Sequence, residues 1–343
     1  MRSPNISAVI LAAGKGTRMK SDRAKVLHEL FFKPMLHHVL DTVTATAVRH
    51  LAVIIGHQRE EVLASLQDAS SLYTFTPVVQ QEQSGTGHAV LCAEAACASS
   101  DLVMILCGDT PLIRPETLQT MIDRHQEKKA LLTLMTTVPD DPFGYGRIIT
   151  DAQGGVLAIV EQKDASKEQQ AVQEINAGIY LVEKNFLFSA LRQVGTDNSQ
   201  GEVYLTDIVS IARRQGYRVE KFVHTPAIDV LGVNSRVELA QAHQELQLRH
   251  NREVMLNGVT MYGPEHILLA PDCRIGRDTV LHAGVHITGK CEIGSKVHIA
   301  PGAVLQNCQV GDQVVIGANA VLSNCTVREG EQIPPLTSRC SHL

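Results

Sequence analysis

Glycines and cations follow an apolar run close to the start of the chain. Gly14 and Gly16 end the run, and Arg18 and Lys25 follow within about a dozen residues. Glycine lets the backbone turn sharply and approach a ligand, and the amides of such a turn, where it leads towards a helix, form a concave anion site. Arginine can grip a phosphate with two hydrogen bonds. The pattern predicts a site for a phosphorylated ligand, although a plain glycine turn with solvated cations would fit the spacing equally well.

Two common phosphate-binding loops do not fit this stretch. The dinucleotide fingerprint GxGxxG requires a third glycine, and Met19 stands at that position. The P-loop requires Ser or Thr after its Gly-Lys pair, and here Gly16 follows Gly14 and Lys15. The stretch is therefore neither of these two loops.

The elements that must hold this site have an α/β pattern. Continuous apolar runs of strand length, typical of strands buried on both faces, occupy residues 7–13, 50–56 and 101–109. Helical patterns occupy residues 34–45 and 88–98. This alternation predicts a mainly parallel sheet with helices on both faces. Ligands of such sheets lie at the carboxyl ends of the strands, where Gly14 and Asp109 would both fall.

The last third of the chain has a six-residue period. From Leu269 onward it divides into eleven short units, nine of six residues and two of five, and each begins with an aliphatic residue. Such a period predicts a short left-handed parallel β-helix, in which every unit adds one short strand to a stacked core. This is the least ambiguous fold signal in the sequence.

Four of the eight cysteines lie within these eleven units, at Cys273, Cys291, Cys308 and Cys325, with separations of 18, 17 and 17 residues. If three units make one coil, these residues lie above one another on successive coils. A metal site is one interpretation, but small buried thiols suit the tight interior of a coil, so we predict a structural role. No CxxC pair occurs in the chain. Reduced thiols in a cytoplasm are therefore expected.

Length and composition restrict the remaining possibilities. A chain of 343 residues has room for two domains. We predict an α/β domain over residues 1–234, a linking helix over 235–258, the β-helix over 259–336 and a tail over 337–343. A net charge of −5 argues against a protein that coats nucleic acid. No apolar run is long enough to span a membrane, and the N-terminus does not match a signal peptide, so we expect a cytoplasmic protein without membrane association.

A family resemblance covers most of the chain. The segment LAAGKGTRM at residues 11–19, followed by Lys25-Val26-Leu27, resembles the signature of sugar-1-phosphate nucleotidylyltransferases. More narrowly, it resembles the uridylyltransferase half of the bacterial bifunctional N-acetylglucosamine-1-phosphate uridylyltransferase / glucosamine-1-phosphate acetyltransferase family. Further motifs of that family follow in order at residues 80–89, 107–113, 144–148, 159–165, 174–180, 201–208 and 232–236. The resemblance implies a Rossmann-like nucleotidyltransferase domain followed by the β-helix.

The resemblance also implies roles for individual residues. The expected nucleotide-binding residues are Leu11, Ala12, Ala13, Gly14, Lys25, Gln80, Gly85 and Thr86. Among these Gln80 would pair with the uracil edge, and Arg18 and Lys25 would act in catalysis by contacting the phosphates. Asp109 and Asn234 would hold Mg²⁺, the expected cofactor. The expected sugar-phosphate-binding residues are Gly108, Asp109, Gly146, Glu161, Asn176 and Asn234.

The implied reaction is transfer of UMP from UTP to N-acetylglucosamine-1-phosphate, with pyrophosphate as the leaving group. The attacking phosphate oxygen is already anionic, so alignment and charge neutralisation suffice, and no covalent intermediate is expected. The histidines near the motifs are accordingly interpreted as packing or surface residues; they are His28, His37, His38 and His88.

Several positions depart from the family pattern. Cys107 replaces the usual tyrosine, Ala24 an often-present proline and Gln162 a common histidine, and position 107 makes the affinity for the sugar uncertain. The repeats stop near Ile333, roughly where the family's acetyltransferase region would start. We therefore expect this chain to lack acetyltransferase activity.

Other interpretations remain open. Taken singly, Asp109 could cap a helix, Asn234 could shape a turn, and Glu161 could belong to a solvated charge cluster. The chain could act on another hexose-1-phosphate, or it could be a catalytically silent scaffold that keeps the ligand fold. The β-helix also predicts a homotrimer, because packing its flat sides together would cover them.

Overall fold

A computed structural model describes residues 4–69 and 71–340. The chain forms two compact units. The first contains the residues up to Glu29 together with Lys33–Glu238, and the second contains Leu30–Phe32 together with the residues from Leu239 onward. No helix of the described residues is both long enough and apolar enough to cross a membrane.

The first unit alternates strands and helices. Its strands are β1 (Ile6–Leu11), β2 (Glu29–Leu30, which continues into the second unit), β3 (Lys33–Pro34), β4 (His50–Ile55), β5 (Phe75–Val79), β6 (Leu102–Cys107), β7 (Leu132–Thr137), β8 (Arg147–Thr150), β9 (Val156–Val160), β10 (Ile175–Glu183) and β11 (Val219–Val223). Its helices are α1 (Met35–Thr44), α2 (Arg59–Asp68), α3 (Thr86–Cys92), α4 (Pro115–Lys128), α5 (Lys167–Gln170), α6 (Lys184–Leu191) and α7 (Asp207–Arg214), and α8 (Arg236–Leu256) runs from this unit into the second.

The main sheet is mixed and mostly parallel, as predicted. Its central order is β11-β7-β10-β6-β1-β4-β5, and β8 and β9 extend it beside β10. β1 pairs in parallel with β4 and β6, whereas β10 runs antiparallel to β6 and β7. One apolar cluster lies on each face of the sheet, because alternate residues of β1, such as Ile10 and Val9, point to opposite sides. The three predicted apolar runs are the adjacent parallel strands β6, β1 and β4.

Most of the second unit is the predicted parallel β-helix. Its strands are β12 (Thr260–Met261), β13 (Leu268–Leu269), β14 (Arg274–Ile275), β15 (Val280–Leu281), β16 (His286–Thr288), β17 (Glu292–Ile293), β18 (His298–Ile299), β19 (Val304–Gln306), β20 (Gln309–Val310), β21 (Val315–Ile316), β22 (Val321–Ser323), β23 (Thr326–Val327), β24 (Gln332–Ile333) and β25 (Ser338–Cys340). They form three parallel sheets, in the orders β12-β15-β18-β21-β24, β13-β16-β19-β22-β25 and β14-β17-β20-β23.

The six-residue period directs its aliphatic side chains inward. Ten of the eleven first-position residues are buried, and Ile275 is partly buried. Leu305 lies between Ile287 and Leu322 of the neighbouring coils. The cysteines stack as predicted: the Cys308 amide lies 3.2 Å from the Cys291 sulfur, and the Cys308 and Cys325 sulfurs are 3.8 Å apart. No cluster of metal-ligating side chains occurs among the residues that the structure describes.

The boundary between the units differs from the predicted segments. α8 occupies Arg236–Leu256, and the boundary falls within its first turn, between Glu238 and Leu239. The sequence did not indicate that Leu30–Phe32 belongs to the second unit. There the Phe31 ring is only 6% exposed and packs against His243 and His250, with ring centroids 5.9 and 5.7 Å away.

Candidate functional site

A cleft of about 540 Å³ opens in the first unit beside the carboxyl ends of β1 and β6. This is the edge of the sheet at which the α/β pattern predicts a ligand. Eleven of the predicted site residues line it: Leu11, Ala12, Ala13, Gly14, Arg18, Lys25, Gln80, Gly85, Thr86, Asp109 and Asn234. Gly108 lies directly behind the cleft, where its amide donates to the Leu11 carbonyl at 2.9 Å and holds the ends of β1 and β6 together.

The two glycines of the first loop have different roles. Gly16 has a φ of 59°, and a Cβ added there would lie 2.5 Å from the Cβ of Lys25, so only glycine lets this turn pass so close to the lysine. Gly14 has no positive φ, and a Cβ there would meet no atom within 4 Å. Of the two glycines, only Gly16 has a positive φ, whereas Gly14 leaves open space in the cleft that it lines. The loop leads into a single 3₁₀ turn at Thr17–Met19 rather than an α-helix.

Four polar side chains from three parts of the sequence meet in the cleft. The Lys25 ammonium forms an ion pair with Asp109 and donates to the Asn234 Oδ1 at 2.7 Å. Arg18 donates to the same oxygen at 2.7 Å. Asn234 is itself held by a nearby residue of the chain, because the Asn234 Nδ2 donates to the Gly232 carbonyl at 2.8 Å. These contacts join two cations to two oxygen-bearing side chains.

Asp109 does not cap a helix. The next helix, α4, begins only at Pro115, with Arg114 as its N-terminal cap. The Asp109 carbonyl instead accepts the Val233 amide at 2.8 Å, which joins the end of β6 to the segment that carries Asn234. Both predicted metal ligands are therefore fixed by one connection between distant parts of the chain.

The donor set of this cluster fits Mg²⁺. Oxygens of Asp109 and Asn234 face one common point, because a single ammonium nitrogen contacts both. Mg²⁺ binds through few protein oxygens and completes its shell with phosphates and water. The described residues contain no group of three or more acidic, histidine or cysteine side chains that could hold a metal ion.

Gln80 closes the other end of the cleft. The side chain is only 4% exposed, and its Nε2 donates to the Gly85 carbonyl at 3.1 Å. Gly85 has a φ of 108°, and a Cβ there would lie 2.5 Å from the Val203 carbonyl oxygen, so the turn before α3 requires glycine. The neighbouring Thr86 hydroxyl accepts the Leu205 amide at 3.1 Å. The turn that carries these residues is thereby held against residues 203–205.

The other predicted sugar residues form a second group beside the cleft. The Asn176 amide donates to the Gly146 carbonyl at 2.9 Å, and a Cβ on Gly146 would lie 3.5 Å from both carboxylate oxygens of Glu161. The Asn176 side chain donates to the Tyr180 hydroxyl at 2.6 Å and accepts the Gly178 amide at 3.0 Å. Gly146, Glu161 and Asn176 thus lie together, on strands β8 to β10 or at their ends.

Burial changes the acidity of two groups here. It raises the pKa of Glu161, whose carboxylate accepts the Thr206 hydroxyl at 3.3 Å. It also raises the pKa of the Cys107 thiol to about 12, and the neighbouring Asp109 charge adds to this effect. Cys107 therefore stays protonated at neutral pH and is a poor nucleophile.

Sequence reasoning missed several side chains at this site. Gln83 and Glu202 line the cleft, and Thr206 contacts Glu161. All three lie within segments that carried the family resemblance, but their residue types alone do not distinguish a side chain that contacts a ligand from one that faces only water. Arg147 was also missed: it is 2% exposed and donates to the Tyr145 carbonyl and, at 2.8 Å, to Gln162.

Comparisons with known proteins agree with this architecture. Residues 7–244 match the nucleotidyl transferase family, and residues 272–307 match the bacterial transferase hexapeptide family of six repeats. The bifunctional protein GlmU of Desulfotalea psychrophila is 50% identical over 303 residues, which cover 88% of each chain. Proteins of the same name from Geobacter metallireducens and a Geobacillus species are 46% and 44% identical over 88% of this chain. The matches cover only 63% and 64% of those two relatives.

Proposed function

Because the chain belongs to the nucleotidyl transferase family, within the group of GlmU proteins, we propose that it transfers UMP from UTP to N-acetylglucosamine-1-phosphate. The observation that carries the proposal is the meeting of Arg18, Lys25, Asp109 and Asn234 in the cleft that Gln80 also lines. One region offers fixed positive charge for phosphates, and the same cleft offers an amide for a base.

The side chains would act by position and charge. Arg18 and Lys25 would bind the triphosphate and neutralise the charge that develops as a phosphate oxygen of the sugar phosphate attacks the α-phosphorus. The new phosphorus–oxygen bond forms as the bond to the leaving pyrophosphate breaks. No side chain has to give up a proton, which agrees with the protonated state of Cys107. Binding both substrates in line would supply much of the rate enhancement.

Asp109 and Asn234 would hold the proposed Mg²⁺. When bound, the ion supplies further charge neutralisation on the phosphates. Lys25, which contacts both oxygens in this structure, would then turn its ammonium towards phosphate oxygens. Arg18 would remain beside Asn234.

The group of Gly146, Glu161 and Asn176 would bind the sugar. Glu161 can accept a hydroxyl hydrogen bond, and Asn176 has one amide hydrogen left beyond the one that it gives to Tyr180. The absence of a side chain at Gly146 keeps space in front of the Glu161 carboxylate. These features suit a hydroxyl-rich ligand with an acetamido group.

We further propose that the β-helix forms a homotrimer. Val315 and Val321 point outward on two different sides of the stack and are 41% and 44% exposed. Packing these sides against other copies would remove apolar surface from water. Sedimentation equilibrium on the full chain tests the assembly, and a monomer at micromolar concentration would contradict it.

A pyrophosphate-release assay tests the function. UTP and Mg²⁺ are supplied with N-acetylglucosamine-1-phosphate, glucosamine-1-phosphate or glucose-1-phosphate. Fastest turnover with the first sugar supports the proposal, and preference for another sugar phosphate favours the alternative substrate. No turnover with any pair favours a silent scaffold. The expected lack of acetyl transfer is checked separately with glucosamine-1-phosphate and acetyl-CoA.

A further inference from the structure

A chain of side-chain contacts lies behind Gln80 at the edge of the cleft. The Gln80 Nε2 lies 3.2 Å from the Nδ1 of His88, in addition to its bond with the Gly85 carbonyl. The Nε2 of the same imidazole lies 3.9 Å from the Cys92 sulfur. His88 and Cys92 are one turn apart on α3, so the helix presents both to this contact.

The hydrogen bonds of Gln80 determine how its amide is oriented. The Gly85 carbonyl can only accept, so the group that faces it must be the NH₂. The second hydrogen of that NH₂ then points to His88, whose Nδ1 must accept it and therefore carries no proton. The imidazole proton lies on Nε2, towards Cys92. Both amide hydrogens of Gln80 are thus used inside the protein.

The carbonyl oxygen is what remains for a ligand. Within residues 4–69 and 71–340, no protein donor bonds to the Gln80 Oε1, and Gln80 lines the cleft. An acceptor held in this way binds a base with an imide N–H, as uracil has at N3. Cytosine has a lone pair at N3, which would face the lone pairs of Oε1. Rotating the amide by 180° would suit cytosine, but it would set Oε1 against the Gly85 carbonyl oxygen. The contact with His88 would then also require the other imidazole tautomer, with the proton moved from Nε2, beside Cys92, to Nδ1.

We propose that His88 is a positioning residue that keeps the acceptor of Gln80 towards the nucleotide and so makes the site select a uracil base over cytosine. The inference deepens the proposed function and rests on it. It also revises the interpretation of His88 as a packing or surface residue. His88 does not touch the substrate; it raises the cost of the amide rotation that cytosine would require.

The test compares two substitutions of His88 by the ratio of kcat/KM for UTP to that for CTP. His88→Leu removes the acceptor, and the ratio should fall about fivefold, the value of roughly one hydrogen bond. His88→Asn places an amide oxygen near the position of Nδ1 and should keep the ratio within twofold of the unmodified protein. Where CTP turnover is too slow to measure, the inhibition constant of CTP against UTP is compared between variants in place of the kcat/KM for CTP.

A matched control and a measurement of nucleotide binding complete the test. His50→Leu makes the same change at an exposed histidine on β4 and should leave the ratio unchanged. If His88→Leu slows UTP and CTP equally, or if His88→Asn behaves like His88→Leu, the inference is overturned. If the unmodified protein turns over no nucleotide, the proposed function fails. Calorimetric binding of UTP and CTP to the same variants then judges the inference alone.

Discussion

The β-helix and the nucleotidyl transferase unit of this protein fill their interiors in different ways. The β-helix stacks aliphatic side chains and cysteines, and Thr279 is the only buried polar side chain among residues 259–340. The nucleotidyl transferase unit buries many polar groups, including Gln80, His125, Arg147 and Asp229. A stacked apolar core needs only residues of about the right size in each layer. A polar interior needs a particular partner for every group, because an unpaired buried polar atom is costly.

The difference separates stability from function. Repetition gives the β-helix the same contacts in every coil, so no single coil is special. In the first unit, buried polar side chains depend on particular partners: Gln80 bonds to the Gly85 carbonyl, and His125 bonds to the Thr133 hydroxyl. Substitutions in the first unit should therefore affect activity or pH dependence, and those in the second should affect stability alone.

The largest expected effect is on catalysis by Lys25. Lys25→Met removes the ammonium that contacts Asp109 and Asn234, and kcat/KM for UTP should fall about 1,000-fold, because a fixed charge near the phosphates is lost. Steady-state pyrophosphate release measures this. Lys20→Met removes an exposed cation of the same loop and should change the rate less than threefold. Equal losses in both variants would show that only net charge matters.

A substitution in the core of the β-helix should lower the stability of the protein without changing its activity. Leu305→Ala leaves a cavity between Ile287 and Leu322 and should cost about 3 kcal/mol of unfolding free energy in that unit, with kcat and both KM values unchanged. Urea titration followed by hydrogen exchange of residues 259–340 measures the loss. A drop in kcat without a stability change would contradict the division between the units.

The polar interior predicts a dependence on pH. His125 of α4 is buried and bonded to the Thr133 hydroxyl at 2.8 Å, and burial lowers its pKa from 6.5 to about 4. Between pH 6.5 and pH 4, His125 therefore binds a proton in the unfolded chain but stays neutral in the folded chain. The free energy of unfolding should fall as the pH drops through this range, by about 3 kcal/mol in all. Urea unfolding at pH 7 and pH 4.5 measures this slope. His125→Leu should flatten it, whatever its stability at pH 7, and an unchanged slope would assign the loss to other groups.

Replacing Arg147 should have a smaller effect, on the KM for the sugar phosphate. Its Nε has no partner among the described residues, while its other nitrogens hold the Tyr145 carbonyl and Gln162, next to Gly146. Arg147→Met should raise the KM for the sugar phosphate about tenfold and leave the KM for UTP unchanged. The reason is that the two hydrogen bonds from Arg147 to the Tyr145 carbonyl and to Gln162, on either side of the proposed sugar site, are lost. Gln162→Glu would give the guanidinium a carboxylate and should raise the melting temperature. If both KM values rise together in Arg147→Met, the arginine supports the whole unit rather than the proposed sugar site.

The sequence predicted the periodic parts of the structure best. The period of the β-helix, the cysteine stack and the strands β1, β4 and β6 all follow from patterns in which many residues repeat one signal. The cleft residues followed from the resemblance, whereas their contacts did not. Nothing in the residue types at Gln80 and His88 indicates that an imidazole orients an amide. Nor does the sequence indicate that Arg147 is buried with its Nε unpaired among the described residues. Such facts depend on single long-range contacts, which leave no period in a sequence.

The segment Leu30–Phe32 has a consequence for any attempt to separate the two units. Phe31 fills a place beside His243 and His250, yet more than 200 residues of the first unit lie between them in the chain. No single cut therefore divides the protein into two whole modules. A fragment that starts at Leu239 would lack an aromatic side chain from its interior, and one that ends at Glu238 would expose that side chain to water. Closing so long a loop also costs entropy that only the finished contact repays, so this corner of the second unit should be among the last to form.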